Sequence, residues 1–138
     1  MQHCFVIDDS DVIRKYSRLI FESLGYRVSE AADATSALER IALESPDIIL
    51  VDWHVPGADM LDVIEKIRAV QFDSRPYILY VTTEGDYGDV HRALKCGADD
   101  FLLKPFNREI IEMKLHEISV AGWGSLISLN PLAHLAAG

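Results

Sequence analysis

Short apolar runs alternate with stretches of helical period along this chain, and each run ends on a polar residue. Residues 4–7, 48–51 and 77–81 are apolar without alternation, as strands covered on both faces are. Residues 27–31 form a less apolar strand suited to a sheet edge, and residues 100–103 a fifth strand. Between them the period is helical. Residues 11–24 place Val12, Ile13, Tyr16, Leu19, Ile20 and Leu24 on one inward stripe, with Gly25 as the stop. Residues 35–44 follow Asp33 or Thr35 as cap and end before Ser45-Pro46. Residues 60–70 carry Leu61, Ile64, Ile67 and Arg68 at helical spacing, residues 87–95 stop at Gly97, and residues 108–120 start after Asn107. Five βα units with short loops predict an α/β fold, a doubly wound sandwich around a parallel five-stranded sheet in the order 2-1-3-4-5.

The 138 residues fit one domain with a short appendage. A net charge of −9 argues against binding nucleic acid through its phosphates or docking on anionic lipid, so a protein partner is expected. Cys4 and Cys96 have no partner at metal-binding spacing and read as reduced thiols. No signal peptide precedes the first strand and no apolar run spans a membrane, which places the chain in the cytoplasm. The stretch 122–138 is an uncharged apolar tail interrupted by Asn130-Pro131, and it would be docked, paired or disordered.

Polar residues gather where the strands end. Asp8-Asp9, Asp52, Thr82 and Lys104 each close an apolar run, and in an open parallel sheet such ends face one crevice. Three carboxylates beside a phosphoryl group repel it, by about 4 kcal/mol per pair at ~4 Å and an effective dielectric near 20. A hard divalent cation, Mg²⁺ or Mn²⁺, reverses that sign. Asp52 is then a candidate nucleophile that forms an acyl phosphate, with Thr82 as hydrogen-bond donor and Lys104 as point charge. The chain has no GxxxxGK[ST] and no GxGxxG after its first strand, so the donor is expected to be another protein or a small phosphodonor rather than bound nucleotide.

These residues, with the run from Asp52 to Gly57 and the Lys104-Pro105-Phe106 turn, resemble the receiver domain of bacterial response regulators, the CheY-like family with its flavodoxin-like fold. The likeness covers residues 3–121, and 30 positions separate Asp52 from Thr82 and 22 separate Thr82 from Lys104. It implies that Asp52 is the phosphoacceptor. Asp9, Asp52 and the His54 backbone carbonyl would hold Mg²⁺ directly, and Asp8 through water. Thr82, Lys104 and the Thr83 N–H would meet phosphoryl oxygens, and Phe101 occupies the aromatic switch position. The implied partners are a histidine kinase or phosphotransfer protein upstream and a target docking on the face of helix four, strand five and helix five. Chemotaxis is one pathway it would serve, and a homodimer one assembly open to it.

Three departures qualify the likeness. Phe101 lacks the phenolic hydroxyl common at the switch position. Met60 follows Asp59 where the family carries glycine, so a different loop or an earlier third helix is expected. His54 and Glu84 are candidate tuners of hydrolysis. The expectation is a stand-alone response regulator, residues 1–121, that accepts phosphorus without being an enzyme. Two rivals remain: a phosphorylation-independent interaction module, and a Mg²⁺-dependent phosphohydrolase. The latter would want a second Asp at position 54 and a cap, neither of which the chain has.

Overall fold

The computed structural model describes residues 2–83 and 86–120. Five strands, β1 (His3–Ile7), β2 (Arg27–Ala31), β3 (Ile48–Asp52), β4 (Tyr77–Thr83) and β5 (Asp100–Lys104), form one parallel sheet in the order β2-β1-β3-β4-β5. Five helices alternate with them: α1 (Asp11–Ser23), α2 (Ala34–Glu44), α3 (Met60–Ala69), α4 (Tyr87–Cys96) and α5 (Arg108–Val120). The expected fold class and strand order are those observed.

Strand side chains alternate between two cores. Phe5, Ile7, Ile49, Val51, Ile78 and Tyr80 pack with Ile41 of α2, Ile64 and Ile67 of α3 and Ala93 of α4. Cys4, Val6, Ile48, Leu50, Leu79, Val81 and Leu102 pack with Ile20 and Phe21 of α1 and Ile111 and Ile118 of α5. Because both faces are covered, the central strands had to be apolar throughout.

The inward stripe expected for α1 needs correction. Its buried residues are Ser17, Ile20 and Phe21, while Val12 is 73% and Leu19 69% exposed and Tyr16 is exposed at the flank. Ile20 and Phe21 face the core, and ion pairs accompany this rotation: Arg14 Nε lies 3.0 Å and Arg18 Nε 2.7 Å from the two oxygens of Glu30 on β2. With that flank tied to β2, the Val12–Leu19 flank faces away from it.

Caps follow the chemistry of the sequence. Ser10, Asp33, Asp59, Asp86 and Asn107 each accept a backbone N–H from the first turn of the helix they precede. Asp59 does so at φ −92°, so Met60 begins α3 in helical conformation and is buried; Gly57 alone in that loop takes positive φ, +82°. The third helix therefore starts where the apolar period begins, and no left-handed residue is needed at position 60. Gly97 ends α4 at φ +125°, where a Cβ would come within 2.6 Å of Arg68 Cγ. No helix among the described residues is long and apolar enough to cross a membrane.

Candidate functional site

Parallel register delivers four of the predicted residues to one edge. Ile7 lies level with Val51, Asp52 with Val81, Thr82 with Leu103 and Thr83 with Lys104, so the strand ends open on a common crevice. The Lys104–Pro105 peptide is cis.

Asp8, Asp9 and Asp52 each offer an oxygen within 4.8 Å of the others. Asp8 and Asp52 are buried and Asp9 is exposed. Lys104 Nζ donates to Asp8 Oδ2 at 2.9 Å and lies 2.8 Å from Asp52 Oδ1, bridging the two buried carboxylates. Asp8 is engaged on all sides: its Oδ1 accepts from the Ser10 N–H at 2.9 Å, and its carbonyl from Arg14 at 2.7 Å. Asp52 is held less fully. Its Oδ2 takes only a long 3.4 Å contact from the His54 N–H. Its Oδ1 has the lysine at ion-pair distance but no aligned hydrogen bond.

Burial pushes the Asp52 pKa up, and the neighbouring Asp8 charge adds to this; Lys104 opposes both. Burial disfavours the charge on Lys104, yet its close contacts with the Asp52 and Asp8 carboxylates, and their attraction, carry its pKa above the ordinary value. One ammonium among three carboxylates leaves the crevice with excess negative charge, and its anionic donors among the described residues are hard oxygens. That donor set fits Mg²⁺, for which Asp9 and Asp52 present the least committed oxygens.

Thr82 is 1% exposed, and its Oγ1 has no hydrogen-bond partner. A buried hydroxyl in that condition is costly unless an acceptor arrives, and a phosphoryl oxygen on Asp52 would be one. His54 is exposed, with its ring 5.2 Å from that of half-exposed Trp53. Phe101 is half-buried on β5 under Lys114 Nζ, 5.7 Å from the ring centroid, and Lys114 itself pairs with Asp100 at 2.9 Å. Glu84 and the tail 122–138 lie outside the described residues.

Sequence reasoning missed Arg14, which holds the Asp8 carbonyl, and Ser17, which is buried in α1 below Asp52. It also missed Tyr80, whose hydroxyl donates to Asp89 of α4 at 2.5 Å. A serine or arginine within a helix carries no local signal of such a role.

A 2-1-3-4-5 parallel sheet with acids, a hydroxyl and a lysine on its C-terminal edge is the architecture of a signalling receiver. The chain belongs to the response regulator receiver domain family, whose model matches residues 4–116. It is similar to the chemotaxis protein CheY1 of Helicobacter pylori, 32% identical over 115 residues that cover 82% of this chain and 93% of that protein. It is also similar to the transcriptional regulatory protein CseB of Streptomyces avermitilis, 32% identical over 84% of this chain but 48% of that longer protein. Among solved structures, the chemotaxis response regulator CheY4 of Vibrio cholerae matches with a TM-score of 0.79 at 28% identity, covering 86% of this chain and 98% of that one. The chain is a receiver-domain response regulator homologous to CheY, of the two-component signalling type.

Proposed function

We propose that this chain is a phosphorylation-dependent switch in which Asp52 accepts a phosphoryl group from a histidine kinase or phosphotransfer protein and thereby changes which protein it binds. One observation carries the reading: Asp52 is buried against Lys104 with an oxygen lacking an aligned hydrogen bond, beside the unpartnered buried hydroxyl of Thr82. Both features are costly in the resting chain and are relieved by an added anionic group with its counter-ion.

In this reading the Asp52 carboxylate attacks phosphorus, the P–N bond to the donor histidine breaks, and the imidazole leaves with the electron pair. Lys104 stays beside the new acyl phosphate as its fixed positive charge, and Thr82 turns its hydroxyl proton toward a phosphoryl oxygen. Asp9, Asp52 and the His54 carbonyl would hold Mg²⁺, with Asp8 acting through water, and the ion supplies charge against the transferred oxygens. The chain accepts one phosphoryl group per molecule rather than turning over a substrate. The target docks on the face of α4, β5 and α5, where Phe101 and Lys114 meet.

The test is labelling by acetyl phosphate with Mg²⁺, read by intact mass. The parent gains one phosphoryl group and Asp52→Asn gains none. An Asp52→Asn chain labelled as fully as the parent refutes the assignment.

A further inference from the structure

A buried hydroxyl and a small void lie together beneath Asp52, between the sheet and α1. Ser17 is 0% exposed and its Oγ has no hydrogen-bond partner. A serine within a helix can return its proton to the carbonyl four residues back, but Ser17 makes no such bond. The void measures about 10 Å³ and is partly open; Ser17, Asp8 and Asp52 are its polar lining, beside apolar groups that include Val6, Leu50 and Phe106. Asp52 Oδ1, with Lys104 only at ion-pair distance, is the second unpartnered buried atom of a residue on this lining.

These facts belong together. A void becomes hydrated when it has room for about one water, roughly 10–15 Å³, and at least two polar partners; a purely apolar void of the same size stays dry. Ser17 Oγ and Asp52 Oδ1 supply the partners, one able to donate and the other only to accept.

We propose that this pocket holds one ordered water bridging Ser17 Oγ to Asp52 Oδ1, which makes Ser17 a positioning residue for the Asp52 carboxylate. Ser17 donates to the water and the water donates to Oδ1. That oxygen then has two fixed neighbours, the water below and Lys104 beside it. Rotation about the terminal carboxylate bond is otherwise broad, and the pair restricts it. Restriction presents the carboxylate in one orientation to an incoming phosphoryl group. The positioning consequence rests on the phosphoacceptor reading; the water itself does not.

The two parts are tested separately. A high-resolution crystal structure of the full chain is expected to show one ordered oxygen, ~2.6–3.1 Å from both Ser17 Oγ and Asp52 Oδ1. An empty cavity with Ser17 turned onto its own helix overturns the proposal. Ser17→Val fills the void and removes the hydroxyl, and Ser17→Ala removes the hydroxyl alone. Each is expected to lose the water and to slow acetyl phosphate labelling roughly 2- to 10-fold, the worth of one hydrogen bond. The Ser17→Val melting temperature is expected to hold or rise, because an unpartnered polar group has been exchanged for packing. Unchanged labelling in both variants overturns the positioning role. A parent chain that takes no label overturns the phosphoacceptor reading instead, and the density still decides the water.

Discussion

Four buried side-chain polar atoms among the described residues lack a hydrogen-bond partner: His3 Nδ1, Ser17 Oγ, Asp52 Oδ1 and Thr82 Oγ1. Native interiors leave few such atoms, and three of these belong to residues in or directly beneath one crevice. Asp52 and Thr82 were legible in the sequence because each ends an apolar run; Ser17 was not, because only the packed rotation of α1 buries it. His3 is the exception, at the opposite edge of the sheet. Its Nε2 lies 2.8 Å from Ser29 Oγ, and that hydroxyl gives its own proton to Glu44 at 2.6 Å, so the ring donates from Nε2. Burial lowers the His3 pKa and Arg27 and Arg40 lower it further, against Glu44 and Asp47. A base depressed on folding contributes stability above its unfolded value, near 6.5, and that contribution is lost as pH falls below it. Urea midpoints measured from pH 7.5 down to about pH 5 should therefore decline more steeply for the parent than for His3→Asn. Asp52, raised on folding, contributes with the opposite sign in both chains, so their difference isolates His3. Parallel pH profiles would refute the assignment.

Elements were easier to read than their orientations. Period located all five helices, helped by a cap residue before the second and fifth and a glycine after the first and fourth, signals that have a local cause. Rotation has no such cause: Leu19 is apolar and 69% exposed, whereas Ser17 is polar and fully buried, in a helix that turns Ile20 and Phe21 to the core and pairs Arg14 and Arg18 with Glu30 on β2. Arg68 shows the same limit. At helical spacing it read as part of the α3 stripe, yet its guanidinium binds the carbonyls of Gly97 and Pro76 and the carboxylate of Asp99. Asp99 is 4% exposed and also accepts from Arg75 and from the Ile78 N–H. This cluster joins α3, the start of β4 and the turn into β5. Asp99→Ala would leave Arg68, pushed below its ordinary pKa by burial, without the carboxylate it binds. Removing one partner of a buried pair costs roughly 3–5 kcal/mol, and equilibrium urea unfolding should register a loss of that order. A loss under about 1 kcal/mol, the range of surface ion pairs, would show that the cluster is solvated and dispensable.

Across the whole molecule, the crevice and the proposed docking face are two ends of the same pair of strands. Thr82 lies level with Leu103, and two residues earlier Tyr80 lies level with Phe101, so any displacement of β4 at the crevice is felt beside the half-buried ring. Phe101 has no hydroxyl with which to hold either position, and its visible restraint is Lys114, anchored on Asp100. The polar tie between the sheet and this face sits instead on Tyr80, buried in β4, which donates to Asp89 of α4 at 2.5 Å. Burial and the Asp89 carboxylate both push the Tyr80 pKa up, so the phenol keeps its proton and remains a donor. α4 depends on that tie, because it buries only Val90 and Ala93 and leaves Tyr87 69% exposed. Elements with few buried contacts open first, and they are the ones a switch can move at low cost. Tyr80→Phe removes the bond while preserving the ring, and a hydrogen bond to a charged group is worth about 1.5–3 kcal/mol. Amide exchange in α4 should therefore accelerate by roughly 10-fold or more, while α1, tied through Glu30 and remote from Tyr80, keeps its parent rates. Equal acceleration in both helices would mean that the substitution lowers global stability only, and that α4 has no separate hinge in Tyr80.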